Sequence, residues 1–148
     1  MNSHGFLVRP IRPEDASAAA RLATQLGYPS TPEQIGRRLC ALSESEDARV
    51  FVAEGPDGSA VGWVHVFGRR LVESDADAEV GGLVVDEQVR GRGIGKALMA
   101  SAEGWARERG YGVVSIRSNV IRTEAHEFYK RIGYEILKSQ YKLRKRLF

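Results

Sequence analysis

Three glycines and three cations fall together in one short run of this 148-residue chain: Arg90, Gly91, Arg92, Gly93, Ile94, Gly95, Lys96. An apolar segment precedes the run, ending in Leu83, Val84 and Val85. After it, Ile94, Ala97, Leu98, Ser101, Ala102 and Trp105 recur at helical spacing. The run therefore joins a strand to the start of a helix. The first N–H groups of a helix have no internal partners. Added to the helix dipole, they make an anion site. Glycine lets a ligand approach that backbone, and Arg90, Arg92 and Lys96 supply positive charge. The chemistry implied is phosphate or diphosphate binding.

Two common phosphate loops do not fit. A P-loop needs Gly, four residues, then Gly-Lys-Ser/Thr. Here Gly95-Lys96 is followed by Ala97, and Arg90 stands where the first glycine belongs. A dinucleotide fingerprint needs Gly-x-Gly-x-x-Gly, whereas the spacing here is Gly91-x-Gly93-x-Gly95.

The elements that must hold this turn are legible along the chain. Phe6 to Ile11 reads as a short strand. Pro13, Glu14 and Asp15 suit a first helical turn. Ala16, Ala19, Ala20 and Ala23 mark one face of the helix that follows, with Leu22 and Leu26 beside it and Gly27 as its stop. Thr31 and Gln34 match a capping box with Pro32 at the first position, and Ile35, Leu39 and Leu42 form the stripe expected to be buried. Val50–Ala53 and Val61–Phe67 read as a hairpin across Gly55-Pro56-Asp57-Gly58. A strand is expected over Glu79–Val85, then the helix that ends near Gly110. A strand over Val113–Ser118, a helix over Thr123–Ile132 stopped by Gly133, and one or two terminal strands over Tyr134–Phe148 complete the order. This is a mixed α/β (α+β) plan in one domain, residues 1–148.

The spacing Arg90-x-x-Gly93-x-Gly95 resembles the pyrophosphate signature of the GNAT (Gcn5-related N-acetyltransferase) superfamily, Gln/Arg-x-x-Gly-x-Gly/Ala. A second segment resembles another motif of that family: Asn119, Arg122, Ala125, His126, Phe128, Tyr129, Gly133 and Tyr134 at its spacing. The element order extends the resemblance along the chain. It implies a central, mostly antiparallel sheet splayed between strands four and five, flanked by about four helices. It also implies acetyl-CoA as co-substrate. The pantetheine arm would bond to the backbone at Leu83, Val84 and Val85. The pyrophosphate would meet the amides from Arg90 to Lys96. Asn119 and Ala125 would line the donor.

The reaction implied is direct attack of an acceptor amine on the thioester. A backbone N–H of strand four, that of Val84 or Val85, would receive the developing negative charge. Tyr129 matches the tyrosine that meets the leaving thiolate. A phenol of pKa ~10 against a thiol of ~8.5 makes full proton transfer uphill by about 2 kcal/mol. Tyr129 is therefore read first as a hydrogen-bond donor to sulfur. Glu79 is the candidate base, with a water chain as the alternative. His126, three residues before Tyr129, and His65, alternating with Trp63 and Phe67, are weaker candidates. The same fold could instead serve as a non-catalytic acyl-CoA sensor.

Other signals bound the partners. Glu73, Asp75, Asp77 and Glu79 hint at a cationic acceptor, such as a polyamine, an aminoglycoside or a protein amine. The net charge of +3 does not demand nucleic acid. The basic residues of the last stretch alternate with Tyr141, Leu143 and Leu147, as in a half-buried strand. Scattered histidines and the lone Cys40 lack metal-ligand spacing, so no metal is expected. No apolar run nears the ~18 residues of a membrane span. One cysteine and no leader pattern point to the cytoplasm. The resemblance leaves a homodimer open.

Overall fold

A computed structural model describes residues 5–118 and 120–148. They fall into two compact units, one up to Ile116 and one from Arg117 onward. The first holds β1 (Leu7–Pro10), a 3-10 turn at Pro13–Asp15, α1 (Ala16–Leu26), α2 (Pro32–Ser43), β2 (Ala48–Glu54), β3 (Ala60–Arg69), β4 (Asp77–Val85), a second 3-10 turn at Glu87–Val89, α3 (Ile94–Glu108) and β5 (Val114–Ile116). The second holds α4 (Thr123–Arg131). The sheet order is β1-β2-β3-β4-β5. All pairs are antiparallel except β4–β5, which is parallel.

β3 shows how sequence makes the layers. Ala60, Gly62, Val64 and Val66 are buried, while Val61, Trp63, His65 and Phe67 alternate with them. The first set faces α3: a methyl at Gly62 would touch Leu98 and Ile94. On the opposite face, Trp63 Nε1 donates to the Ala19 carbonyl of α1 at 3.3 Å. Leu22, Leu98, Met99, Val52, Val64 and Val66 fill the core between the layers. The glycines expected to stop α1 and α3 do so. Gly27 and Gly110 both have positive φ, and the next residue bonds back five positions, Tyr28 to Ala23 and Tyr111 to Ala106.

Three expectations need correction. The α2 capping box forms, with Gln34 N–H donating to Thr31 Oγ1 at 3.1 Å. Its apolar stripe, however, is only half-buried, and no α2 residue is fully covered. The helix leans mainly on α1 and β2. The strand expected over Val113–Ser118 is only Val114–Ile116. Tyr134–Phe148 carries no strand. Its alternation defines a face, but a strand also needs a neighbour for its N–H and C=O groups. Leu137, Tyr141, Leu143 and Leu147 are 79–96% exposed.

The β4–β5 pairing explains the short β5. It runs from Ala78↔Val114 to Val80↔Ile116 and stops. At that point β4 holds one extra residue against β3. Val66 pairs with Val80 and His65 pairs with Gly82, so Gly81 is a bulge. A bulge bends its strand and raises its twist. From Gly81 onward β4 has no pairing with β5. Glycines suit this stretch because the β3 rings lie close. A Cβ on Gly81 would come 2.9 Å from His65 Nδ1, and one on Gly82 3.0 Å from Trp63.

Near the start of β4, Gly68 faces the Asp47 carboxylate and the Tyr111 hydroxyl that donates to it. A methyl there would overlap both groups. Gly68→Ala should lower unfolding free energy by about 1–3 kcal/mol, read from the urea midpoint. An unchanged midpoint would mean that this corner can relax.

Candidate functional site

The outer edge of β4 is set by one bond. Asp86 N–H donates to the Val61 carbonyl at 2.8 Å, and these two residues continue the β3–β4 register. In an antiparallel pair the bonded positions alternate. Val84 therefore turns its amide and carbonyl toward β3. Leu83 and Val85 turn theirs the other way, toward the edge that no longer pairs with β5. The weak contact from Arg90 Nε to the Val85 carbonyl, 3.4 Å, agrees with that direction. Of the two amides expected to hold negative charge, Val85 is turned outward and Val84 is not. Val84 belongs to the β3 ladder, and the outward partner of Val85 is Leu83.

The chain then reaches the glycine-rich turn. Gly91 and Gly93 have φ of 83° and 81°, a region that side chains other than glycine rarely adopt. Gly93 is the N-cap of α3, and no side chain caps the helix. The first internal bond joins Ala97 N–H to the Gly93 carbonyl at 3.0 Å. The amides of Ile94, Gly95 and Lys96 precede that bond and take no side-chain cap. The space beside Gly91 and Gly93 is open, and Arg90, Arg92 and Lys96 are exposed around it. Uncapped amides and exposed cations are the chemistry a diphosphate needs, and they continue an edge that can bond to an amide-bearing chain. Coenzyme A has both parts, so the residues fit it. Acetyl-CoA held there would supply, through its thioester, an activated acyl carbon.

Glu79 lies before the bulge, opposite Phe67 of β3 and Ser115 of β5. It is 9% exposed, with Oε1 3.8 Å from Arg69 Nε. Arg69 also grips Asp77 through two bonds of 3.0 and 2.9 Å. Ser115 Oγ donates to Asp77 at 2.5 Å. Burial alone would raise the Asp77 pKa, but Arg69 and Ser115 outweigh it and hold the carboxyl below its usual range. Half of the acidic run thus lies inside the sheet facing an arginine. Glu73 and Asp75 are the exposed half. Arg69 and Ser115 were missed in the sequence because their partners become visible only with the strand register.

In the second unit, Tyr129 is 8% exposed on α4. Its ring meets Phe128 at 5.3 Å and Tyr134 at 6.1 Å. Burial pushes its phenol pKa up, with Arg122 pulling the other way. Ala125 is half-buried one turn earlier, as is His126. Asn119 lies outside the described residues, as does His4. His65 sits on β3 against Phe67, ring centroids 5.3 Å apart, and burial lowers its pKa. His65 and Phe67 line an open cavity of about 500 Å³ with Leu42 and Ala48. Cys40 is exposed. Among the described residues no cluster of metal-ligating side chains occurs, and no helix is long and apolar enough to cross a membrane.

Comparison with known proteins bears on the same features. The family model described as Acetyltransferase (GNAT) family matches residues 16–134, a span that includes β4, the glycine-rich turn and α4. The chain belongs to the GNAT family. It is an acetyl-CoA-dependent N-acetyltransferase. Over 132 residues it is 32% identical to an aminoglycoside N(6')-acetyltransferase type 1 of Stenotrophomonas maltophilia, covering 86% of this chain and 85% of that one. A solved aminoglycoside antibiotic 6'-N-acetyltransferase of Acinetobacter baumannii superposes with a TM-score of 0.84 at 17% identity, over 97% of this chain and all of the other. A solved aminoglycoside N-acetyltransferase in complex with CoA gives 0.83 at 19% identity, over 95% of each chain. At such identities the two structures speak for the fold.

Asp77 gives a pH test of the paired end of β4. Its folded pKa lies below its unfolded value of ~3.9. The stability it contributes is therefore present above that value and is lost as pH falls through the folded pKa. Melting temperature followed from pH 6 to pH 3 should fall less steeply in Asp77→Asn than in wild type. Parallel curves would show that Asp77 titrates as an ordinary surface carboxylate.

Proposed function

We propose that the protein transfers an acetyl group from acetyl-CoA to a primary amine by direct attack within a ternary complex. The observation that carries this reading is the continuity of the outward β4 edge, Leu83 and Val85, with the uncapped N-terminus of α3. The three free amides of α3, with Arg90, Arg92 and Lys96, hold the pyrophosphate. Leu83 and Val85 hold the pantetheine arm through their backbone. The Val85 N–H is the donor best turned toward a carbonyl oxygen as it gains charge. The motif spacing assigns Asn119 and Ala125 to the donor as well.

The acceptor amine must first lose a proton, because an alkylammonium has a pKa near ~10.4. Glu79 takes that proton through water. Its place at the paired end of β4, beside Phe67 and the cavity that Phe67 lines, suits this role. Arg69, 3.8 Å away, fixes where its carboxylate sits. The amine nitrogen then forms a bond to the acyl carbon, the carbon–sulfur bond breaks and the thiolate leaves, and the nitrogen's second proton passes through water to the thiolate or solvent. Tyr129 donates a hydrogen bond to that sulfur. The upward shift of its phenol pKa makes full transfer to a thiolate harder and supports the hydrogen-bond role.

For the acceptor, we favour a small cationic amine, aminoglycoside-like or a polyamine, ahead of a protein amine. The Stenotrophomonas relative, similar over most of both chains, supports the aminoglycoside-like class. The exposed Glu73 and Asp75 supply the remaining acidic attraction.

Turnover with a panel of aminoglycosides, polyamines and neutral amines tests the activity. Transfer from acetyl-CoA with a preference for polycationic amines is expected. Donor binding without transfer to any amine would favour the non-catalytic sensor. Tyr129→Phe should lower kcat about 10- to 100-fold while donor affinity stays near wild type. Equal kcat would remove the assignment. Glu79→Gln should flatten the acid limb of the pH–rate profile, and an unaltered profile would leave the proton to a water chain.

A further inference from the structure

Asp86, the first residue after β4, is 7% exposed. Its carboxylate accepts from Arg21 Nη1 at 2.8 Å, from the backbone N–H of Gln88 at 3.1 Å, and more weakly from Gln25 Nε2 at 3.5 Å. Gln25 also works in the other direction: its Oε1 accepts the backbone N–H of Glu87 at 3.1 Å. Arg21 and Gln25 are four residues apart on α1, so they share one flank of that helix. Burial alone would raise the Asp86 pKa. The Gln88 amide and Arg21 more than offset it, and the carboxylate stays charged.

None of these side chains belongs to the glycine-rich turn. Together they hold its approach. Val85, the last outward amide of β4, immediately precedes Asp86. The 3-10 turn Glu87–Val89, whose first two amides are tied by Gln25 and Asp86, immediately precedes Arg90. One helix on the far face of the sheet thus grips the whole connection between the strand edge and α3.

We propose that Arg21, Gln25 and Asp86 form a positioning clamp for the donor site, through which α1 holds the β4–α3 connection in the conformation that receives coenzyme A. The proposal rests on the reading of the glycine-rich turn as the donor site. A connection left loose would have to be ordered at the moment of binding, and that cost appears as lost affinity. A clamp therefore acts on the donor dissociation constant. A purely structural ion pair would act on the melting temperature alone.

The test is calorimetric titration of the full chain with coenzyme A, beside steady-state kinetics and thermal melts. Arg21 is exposed and Gln25 half-buried, so replacing them leaves the core intact. Arg21→Ala should raise Kd for coenzyme A roughly tenfold, as expected for a hydrogen bond to a charged group. Gln25→Ala should raise it less. Arg21→Lys should recover most of the loss, because an ammonium can still meet the carboxylate. The KM for the amine and kcat at saturating donor should stay near wild type. Gly93→Asp is the control, since it strains and charges the turn itself. If Gly93→Asp weakens binding while Arg21→Ala and Gln25→Ala leave Kd unchanged, the clamp is overturned and the donor site stands. A lower melting temperature with unchanged Kd would also overturn it. If Gly93→Asp binds coenzyme A like wild type, the donor-site reading fails and the clamp fails with it.

Discussion

A strand bonds to two neighbours only while all three run side by side. β4 meets that condition up to Val80 and loses it at Gly81, where one extra residue against β3 bends it. Everything distinctive about the site depends on that bulge. It ends the parallel pairing with β5 after Ile116. It leaves the amides of Leu83 and Val85 facing away from β3, with no strand of the sheet beside them. The same strand then feeds α3, whose first amides are uncapped. An edge that would ordinarily invite aggregation is short here and leads to an uncapped helix start, which is why we read it as a ligand surface.

Charge is arranged in two different ways around this edge. The cations of the turn, Arg90, Arg92 and Lys96, are exposed and available to a polyanion. The buried aspartates each face an arginine: Asp15 with Arg9 at 2.8 Å, Asp77 with Arg69 at 2.9 Å and Asp86 with Arg21 at 2.8 Å. A buried carboxylate is costly unless paired and hydrogen-bonded. Each pair also joins separate pieces of the fold: β1 to the first 3-10 turn, β3 to β4, and α1 to the β4–α3 connection. Their worth lies in fixing geometry more than in net stability.

Much of this was legible in the sequence because it depends on local chemistry. The glycine stops, the Thr31–Gln34 capping box and the strand-to-helix turn at Arg90–Lys96 are local signals, and each is where spacing placed it. What the sequence hid depends on register. Alternation along Glu79–Val85 does not reveal that Gly81 is an extra residue, so it does not tell which of Val84 and Val85 faces outward. The Asp77–Arg69–Ser115 cluster and the Arg21–Asp86 pair join residues far apart in the chain, or across a hairpin whose register must be known. The alternation in Tyr134–Phe148 suggests a strand, yet it names no partner, and the segment carries none.

The central claim is that coenzyme A is held by the outward edge of β4 and the first turn of α3. The most direct measurement is an amide-resolved NMR titration of the labelled protein with coenzyme A. The amides of Leu83, Val85, Ile94, Gly95 and Lys96 should shift together and saturate at one dissociation constant, with that of Val84 moving much less. If coenzyme A saturates the protein while those five amides stay in place, the donor is held elsewhere and this account of the site is wrong.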